Sequence, residues 1–212
     1  MMLAADKPVA AAPLTQLSEE ESMFQASVRR FAAERLAPHV RSMDDAGVFR
    51  KELITELFEL GLMAVDVPEE YGGQGGTFFQ TILAIEELAK VDPSASVIVD
   101  VQNTLFNNAL VRWANDAQRR RWMPRAAKDA VASYALSEAG SGSDAFALTT
   151  RAVESGEEYR LTGRKLWITN AAEANLFLLF ATINPEAGYK GITAFLIERD
   201  FPGFTVDRKS VV

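Results

Sequence analysis

The run Leu136-Ser137-Glu138-Ala139-Gly140-Ser141-Gly142-Ser143-Asp144 concentrates backbone amides and hydroxyls in one short Gly/Ser turn. Gly140 and Gly142 allow the backbone to take positive φ and to approach a ligand closely. Ser141, Ser143 and successive N–H groups can then form a nest for a phosphate. The lysine and following helix of a P-loop are missing, and the spacing alone fits a flexible hairpin loop equally well. A second run, Gly163-Arg164-Lys165-Leu166-Trp167-Ile168-Thr169-Asn170, reads as a strand with Trp167 and Thr169 on one face. A flat aromatic surface beside a hydroxyl suits a ring system carrying hydrogen-bonding nitrogens, although a core tryptophan beside a strand threonine has the same pattern. The third, Gly188-Tyr189-Lys190-Gly191-Ile192, places a glycine-flanked aromatic on a connection between strands and by itself is a turn.

Other chemistries are excluded by residue type. Cysteine is absent, which removes disulfides, thiolate catalysis and Cys-ligated zinc or iron–sulfur clusters. The single histidine, His39, cannot build a multi-His metal site, so no metal is expected. It follows Pro38 at the end of an expected helix, which suits a solvated or capping role better than a Ser-His-Asp arrangement.

Two kinds of element must position these runs. Before residue 130, apolar residues recur at helical spacing. Ser18 and Glu21 form a capping box, Phe24, Val28 and Phe31 follow on one face, and Pro38 should stop that helix. Leu53, Ile54, Leu57 and Leu60 make a second apolar face ended by Gly61, and Pro68 to Gly76 is a glycine-rich loop. Further helices are expected from Phe78 to Lys90, from Ser94 to Trp113 as a buried central element, and from Asn115 to Met123-Pro124. After Ala130 the period becomes that of strands: Val131–Leu136, Ala147–Val153, Glu158–Leu161, Lys165–Thr169, Leu176–Thr182 and Ile192–Ile197, with another beginning at Phe204-Thr205-Val206. The expected fold is therefore α+β, an N-terminal all-α helical bundle over 16–130 followed by an antiparallel β-barrel-like domain over 131–212.

The chain has 212 residues, 48% of them hydrophobic and 24% charged, which marks a globular chain. No apolar run reaches the roughly 20 residues that span a bilayer. The net charge of −7 argues against a nucleic-acid binder while leaving room for anionic small ligands. Residues 1–15 are Ala- and Pro-rich and lack the marks of a secretory or transit signal, so they read as a disordered tail on a cytoplasmic protein. A chain stopping just after Phe204-Thr205-Val206 would leave a sheet edge open, which suggests a truncated β-domain.

Taken together, Tyr134 to Asp144, Trp167-Ile168-Thr169-Asn170, the Pro68-Glu69-Glu70-Tyr71-Gly72-Gly73 loop, and Gly191-Ile192-Thr193-Ala194-Phe195 with Pro202-Gly203 resemble, in order and spacing, the motifs of the acyl-CoA dehydrogenase family. The likeness covers the chain from about Leu17 to Val206. Ala139 departs from it, since proline is common there. Ser-Glu-Ala at 137–139 and the Gly-Tyr-Lys-Gly turn are most similar to the short/branched-chain branch, which acts on 2-methyl-branched short acyl-CoAs.

The resemblance implies FAD as cofactor, an acyl-CoA thioester as substrate and electron-transfer flavoprotein as electron acceptor. It implies that Tyr134, Ala135, Leu136, Ser137, Glu138, Ala139, Gly140, Ser141, Gly142 and Ser143 wrap the flavin ring edge and pyrophosphate. Trp167, Ile168 and Thr169 would lie against the isoalloxazine, and Ser143 and Tyr189 would also contact the acyl-CoA. Glu138 has a structural place in this pattern and no proton-transfer role. In the family the catalytic glutamate comes from a C-terminal helical domain, and no carboxylate here matches it, so this chain alone is expected to be inactive and no catalytic residue is assigned. That domain also supplies much of the family's subunit interface, which makes the full-length protein a homo-oligomer. A non-catalytic FAD- or acyl-CoA-binding fragment, a helical interaction module with an appended β-domain, and an oxygen-using acyl-CoA oxidase are the alternatives.

Overall fold

A computed structural model describes Pro13 and residues 16–207. The expected tail lies almost entirely outside these residues, as does the end of the chain after Asp207. The helix α1, Glu19–Phe31, starts at the capping box: Ser18 accepts from the Glu21 amide, and the Glu21 carboxylate accepts from the Ser18 amide. Helical backbone does not stop at Pro38. A π-helical stretch Ala32–Leu36 and a 3-10 turn Ala37–His39 lead into α2, Val40–Ala46. Pro38 falls at the start of the 3-10 turn, where its missing N–H is tolerated, and the helix ends instead at Gly47 with φ 60°. The His39 side chain makes no capping bond.

The next helices are α3, Lys51–Glu59, and α4, Phe78–Ala89, the latter opened by a second capping box of Thr77 and Gln80. Then α5, Pro93–Asp100, runs without a break through π-helical Val101–Asn107 into α6, Asn108–Trp113, giving the long central helix expected. The last helix, α7, Asp116–Lys128, passes through Pro124 rather than ending there. Burial of Trp122, Met123, Ala126 and Ala127 on either side of the proline outweighs the one hydrogen bond it removes.

The wider π-helical turn rotates Gln102, Asn103 and Asn107 inward, where all three are fully buried. Gln102 and Asn103 bond backbone through both ends of their amides, and Asn107 through its amino group alone, its Oδ1 being buried without a partner. Asn103 accepts from Val65 N and donates to Leu62 O and Val99 O. Asn107 donates to Met63 O. Gln102 donates to Ala126 O and Ala130 O and accepts from Ala132 N. The central helix thereby fixes the 62–65 loop, the end of α7 and the start of the sheet.

The strands are β1 Ala132–Ala135, β2 Arg151–Ser155, β3 Glu158–Thr162, β4 Leu176–Thr182 and β5 Ile192–Glu198. β4 is central. It pairs parallel with β1, antiparallel with β5, and through Arg151↔Thr182 parallel with β2, whose other edge carries β3 antiparallel. The sheet is thus mixed and not the antiparallel barrel expected. The reason is the 136–150 connection, which returns the chain so that β2 runs in the same direction as β1; strand spacing cannot distinguish such a return from a hairpin. Two expected strands are absent, since Lys165–Thr169 and Phe204–Val206 have irregular backbone, and β2 begins four residues later than Ala147, after a 3-10 turn at Ala145–Ala147.

β4 is buried on both sides, which explains its unbroken apolar sequence. Phe177, Leu179 and Ala181 join a cluster with Val28, Phe31, Leu57 and Leu88 of the helices. Leu176 and Leu178 join another with Phe106, Leu110, Trp122 and Met123. Among the described residues no helix is long and apolar enough to cross a membrane.

Candidate functional site

One edge of β1 is taken by β4. The other is covered by residues 165–170, which are tied to it by side chains as well as backbone. Leu166 N donates to Ser137 O at 2.9 Å, the Ser133 hydroxyl donates to Thr169 O at 2.8 Å, and Asn170 Nδ2 reaches Ala132 O at 3.1 Å. The run cannot be a strand because Trp167 and Asn170 have φ of 59° and 64°. Asparagine tolerates that region, but for tryptophan it is an outlier that the surrounding bonds must hold in place. The Trp167 indole is consequently displayed outward, 75% exposed. It lies on the rim of a groove of about 1970 Å³ whose walls include Ala135, Ile98, Leu161, Phe195 and Phe204.

The Gly/Ser turn begins where β1 ends. Glu138 and Ser141 exchange N–H···O bonds across a tight reversal, and the Ser141 hydroxyl closes the next turn on Asp144 O. Glu138 is 7% exposed and fully engaged. Thr149 N and Oγ1 donate to its Oε2; Thr150 N and Oγ1, together with Lys165 Nζ at 2.7 Å, donate to its Oε1. Burial pushes its carboxyl upward, but the bonds from Lys165, Thr149 and Thr150 outweigh that and hold it at about 2. Lys165 has fewer partners, Leu136 O and Glu138, so burial prevails and lowers its ammonium from the usual 10.5 against the pull of Glu138. The Glu138 carboxyl is therefore ionised at neutral pH.

Around this anchored base the turn presents free donors. The amides of Gly140, Gly142 and Ser143 bond to no group among the described residues, nor do the hydroxyls of Ser137, Ser143 and Thr169. Neither Gly140 nor Gly142 takes the positive φ expected of it; the turn is built without left-handed residues. A Cβ at either position would meet nothing within the chain, so the turn is open on that side.

Tyr134 stands half-buried on β1 with its ring 4.8 Å from Phe180, and burial pushes its phenol up. Ala135 is buried against the groove, while Leu136 and Ser137 give their carbonyls to Lys165 and Leu166. Ala139 and Ser143 are exposed and Ile168 is half-buried. Tyr189 is 58% exposed, and its ring lies 5.4 Å from that of Phe146, just beyond Ser143. The structure therefore brings Tyr134–Ser143 and Trp167–Thr169 side by side, and sets Tyr189 close to the far end of the turn. Among the described residues no acidic or histidine cluster suits a metal ion.

Residues 18–130 match the family model described as acyl-CoA dehydrogenase, N-terminal domain, and 133–211 match the acyl-CoA dehydrogenase, middle domain. The chain belongs to the acyl-CoA dehydrogenase family. It is 49% identical over 93% of its length to a probable short/branched chain specific acyl-CoA dehydrogenase of Dictyostelium discoideum, covering 48% of that protein. Butyryl-CoA dehydrogenase of Megasphaera elsdenii superposes with a TM-score of 0.86 at 33% identity, over 90% of this chain and 51% of the other. A glutaryl-CoA dehydrogenase of Mycobacterium smegmatis in complex with FADH2 gives 0.83 at 32%, over 92% and 50%. The chain spans about half the length of the curated relatives it matches.

Several residues of this acyl-CoA dehydrogenase-family site carry no motif of their own. Ser133, Thr149 and Thr150 make bonds that hold the two segments together, as do Lys165 and Asn170 inside the second one. The signal available was Glu138 itself, because a carboxylate in an apolar strand-end context needs a cation.

Proposed function

We propose that this chain forms the FAD- and thioester-facing part of an enzyme that desaturates short or 2-methyl-branched acyl-CoA thioesters between the α and β carbons. The observation that carries the reading is the lateral joining of the Gly/Ser turn to the Trp167 segment, with unpaired amides on one and a displayed indole and free hydroxyl on the other. The residues fit the cofactor. Gly140, Gly142 and Ser143 offer N–H donors of the kind that bind phosphate oxygens, in a turn a Cβ does not obstruct. Trp167, Ile168 and the Thr169 hydroxyl would hold the ring system, and Tyr134 to Ser137 its edge. FAD, when bound, supplies the acceptor for the hydride that leaves the β carbon, and electron-transfer flavoprotein is the onward acceptor. Ser143 and Tyr189 would contact the acyl-CoA, the subfamily being suggested by likeness to the Dictyostelium relative.

Removing the α proton needs a base whose carboxylate is accessible and only weakly held. Glu138 is neither, since its oxygens are filled by donors and its carboxyl is held at about 2. Glu138 is thereby excluded as that base, and the proposal is that the chain by itself binds without turning over. The test is to mix the purified chain with FAD, gel-filter it, and record the visible spectrum before and after anaerobic addition of 2-methylbutyryl-CoA. A co-eluting flavin band that substrate leaves unbleached is the expected result. Absence of retained flavin would count against the binding site, and bleaching would show that the chain contains a working base after all.

A further inference from the structure

Glu138, expected among the residues that wrap the flavin, and Lys165, for which no cofactor contact was expected, form a buried ion pair whose polar atoms are filled from within the chain. Its side chains are 5% and 8% exposed. A buried ion pair is a weak source of stability, since apolar residues of similar volume commonly serve as well or better. This one joins three stretches that are distant in sequence. Lys165 Nζ holds the end of β1 through Leu136 O at 2.9 Å and the turn through Glu138. Glu138 in turn holds the residues entering β2 through Thr149 and Thr150. Thr150 also packs so closely on Gly163 that a Cβ there would collide with its side chain, which brings the start of the second segment to the same point. From that point the Gly/Ser turn departs on one side and the exposed, left-handed Trp167 on the other.

We propose that Glu138 and Lys165 are positioning residues for flavin binding: their buried pair sets the Gly/Ser turn and the Trp167 segment in the one mutual arrangement that a single flavin nucleotide bridges. The proposal rests on the flavin reading. Their polar atoms are occupied within the chain, so the pair acts through the backbone it holds. A phosphate-binding turn and a ring-binding segment that move independently would each order on binding, at an entropic cost, and the pair removes that cost beforehand.

The test uses the full chain carrying Lys165→Met, Lys165→Arg, Glu138→Gln or Thr149→Val, with three readouts: FAD affinity and visible spectrum, thermal midpoint of the flavin-free protein, and amide exchange of Leu166, Thr149 and Thr150. Lys165→Met and Glu138→Gln should weaken FAD binding by about tenfold or more and alter the flavin band, while the circular dichroism stays native. Lys165→Arg should recover most of the affinity. In the flavin-free variants exchange should rise at Leu166, Thr149 and Thr150 and stay unchanged between β4 and β5. Folded Lys165→Met with unaltered affinity and spectrum would overturn the proposal. If the two larger changes prevent folding, Thr149→Val decides: it removes one hydroxyl donor to Glu138, and unaltered FAD affinity in that variant refutes the positioning role. If the unsubstituted chain binds no FAD, the flavin reading fails on its own. The exchange data then judge the coupling, and unchanged exchange at Leu166 in Lys165→Met sinks it.

Discussion

At Glu138 and Glu87 the carboxyls are drawn from 4.5 to about 2, and the two cases differ in cause. For Glu87 on α4, 1% exposed, the hydrogen bond from Arg29 of α1 dominates over the upward push of burial, with Lys90 adding to it. For Glu138 burial is the largest single influence and is overcome by several donors together. Both groups bind protons less readily folded than unfolded. The stability they contribute is therefore fully present above about 4.5 and is lost as the pH falls toward 2. Urea titrations at steps from pH 6 to pH 2.5 should show stability collapsing below 4.5, with a shallower slope in Glu138→Gln; a slope identical to that of the unsubstituted chain would contradict the assignment. Glycines separate fold from ligand at the same scale. Gly140→Ala and Gly142→Ala place a methyl in open space, so the thermal midpoint should stay within the change expected of about 0.5 kcal/mol while FAD retention drops. Gly191→Ala instead drives a Cβ into the Asn184 carbonyl oxygen and should destabilise by about 2 kcal/mol or more.

Among the elements, the π-helical turn between α5 and α6 has the widest structural reach. Its Gln102 bonds α7 at Ala126 and Ala130 and β1 at Ala132, all within the interior. Replacing it with leucine keeps the volume but strands two carbonyls and an amide, which should cost about 2–4 kcal/mol in urea denaturation. An effect below about 1 kcal/mol would mean that water enters and replaces the side chain. The capping boxes at Ser18, Thr77 and Asn115 act locally and additively, each within the range of about 0.5–2 kcal/mol. The first was legible as a capping box from residue type, because a cap depends on neighbours three positions apart. The π-helical geometry was not, since it answers to backbone groups as far away as Leu62 and Ala132.

Across the described residues, helices and sheet contribute jointly to both apolar clusters. The cluster around Phe31 and Leu57 includes Phe177 and Ala152 of the sheet, and Arg121 and Arg125 of α7 grip Glu198 at the end of β5, both at 2.8 Å. Unfolding should accordingly be a single transition. Tryptophan emission, whose change comes mainly from buried Trp122 because Trp113 and Trp167 are largely exposed, should coincide with the far-ultraviolet circular dichroism. Separated midpoints would show the two parts to be independent. The amino-acid sequence by itself determined what depends on short-range periodicity and residue type: the helical first half, the extent of β4, the start of β5, the capped start of α1, and the motif order that places the chain in its family. It also named the two segments that the structure sets side by side. Only the tertiary structure decided that β1 and β4 run parallel, that 165–170 leave the strand conformation, and that Lys165 is the partner of Glu138. Those outcomes depend on where the 136–150 connection returns the chain and on which cation a buried carboxylate meets. A pattern of spacings along one dimension does not contain that information.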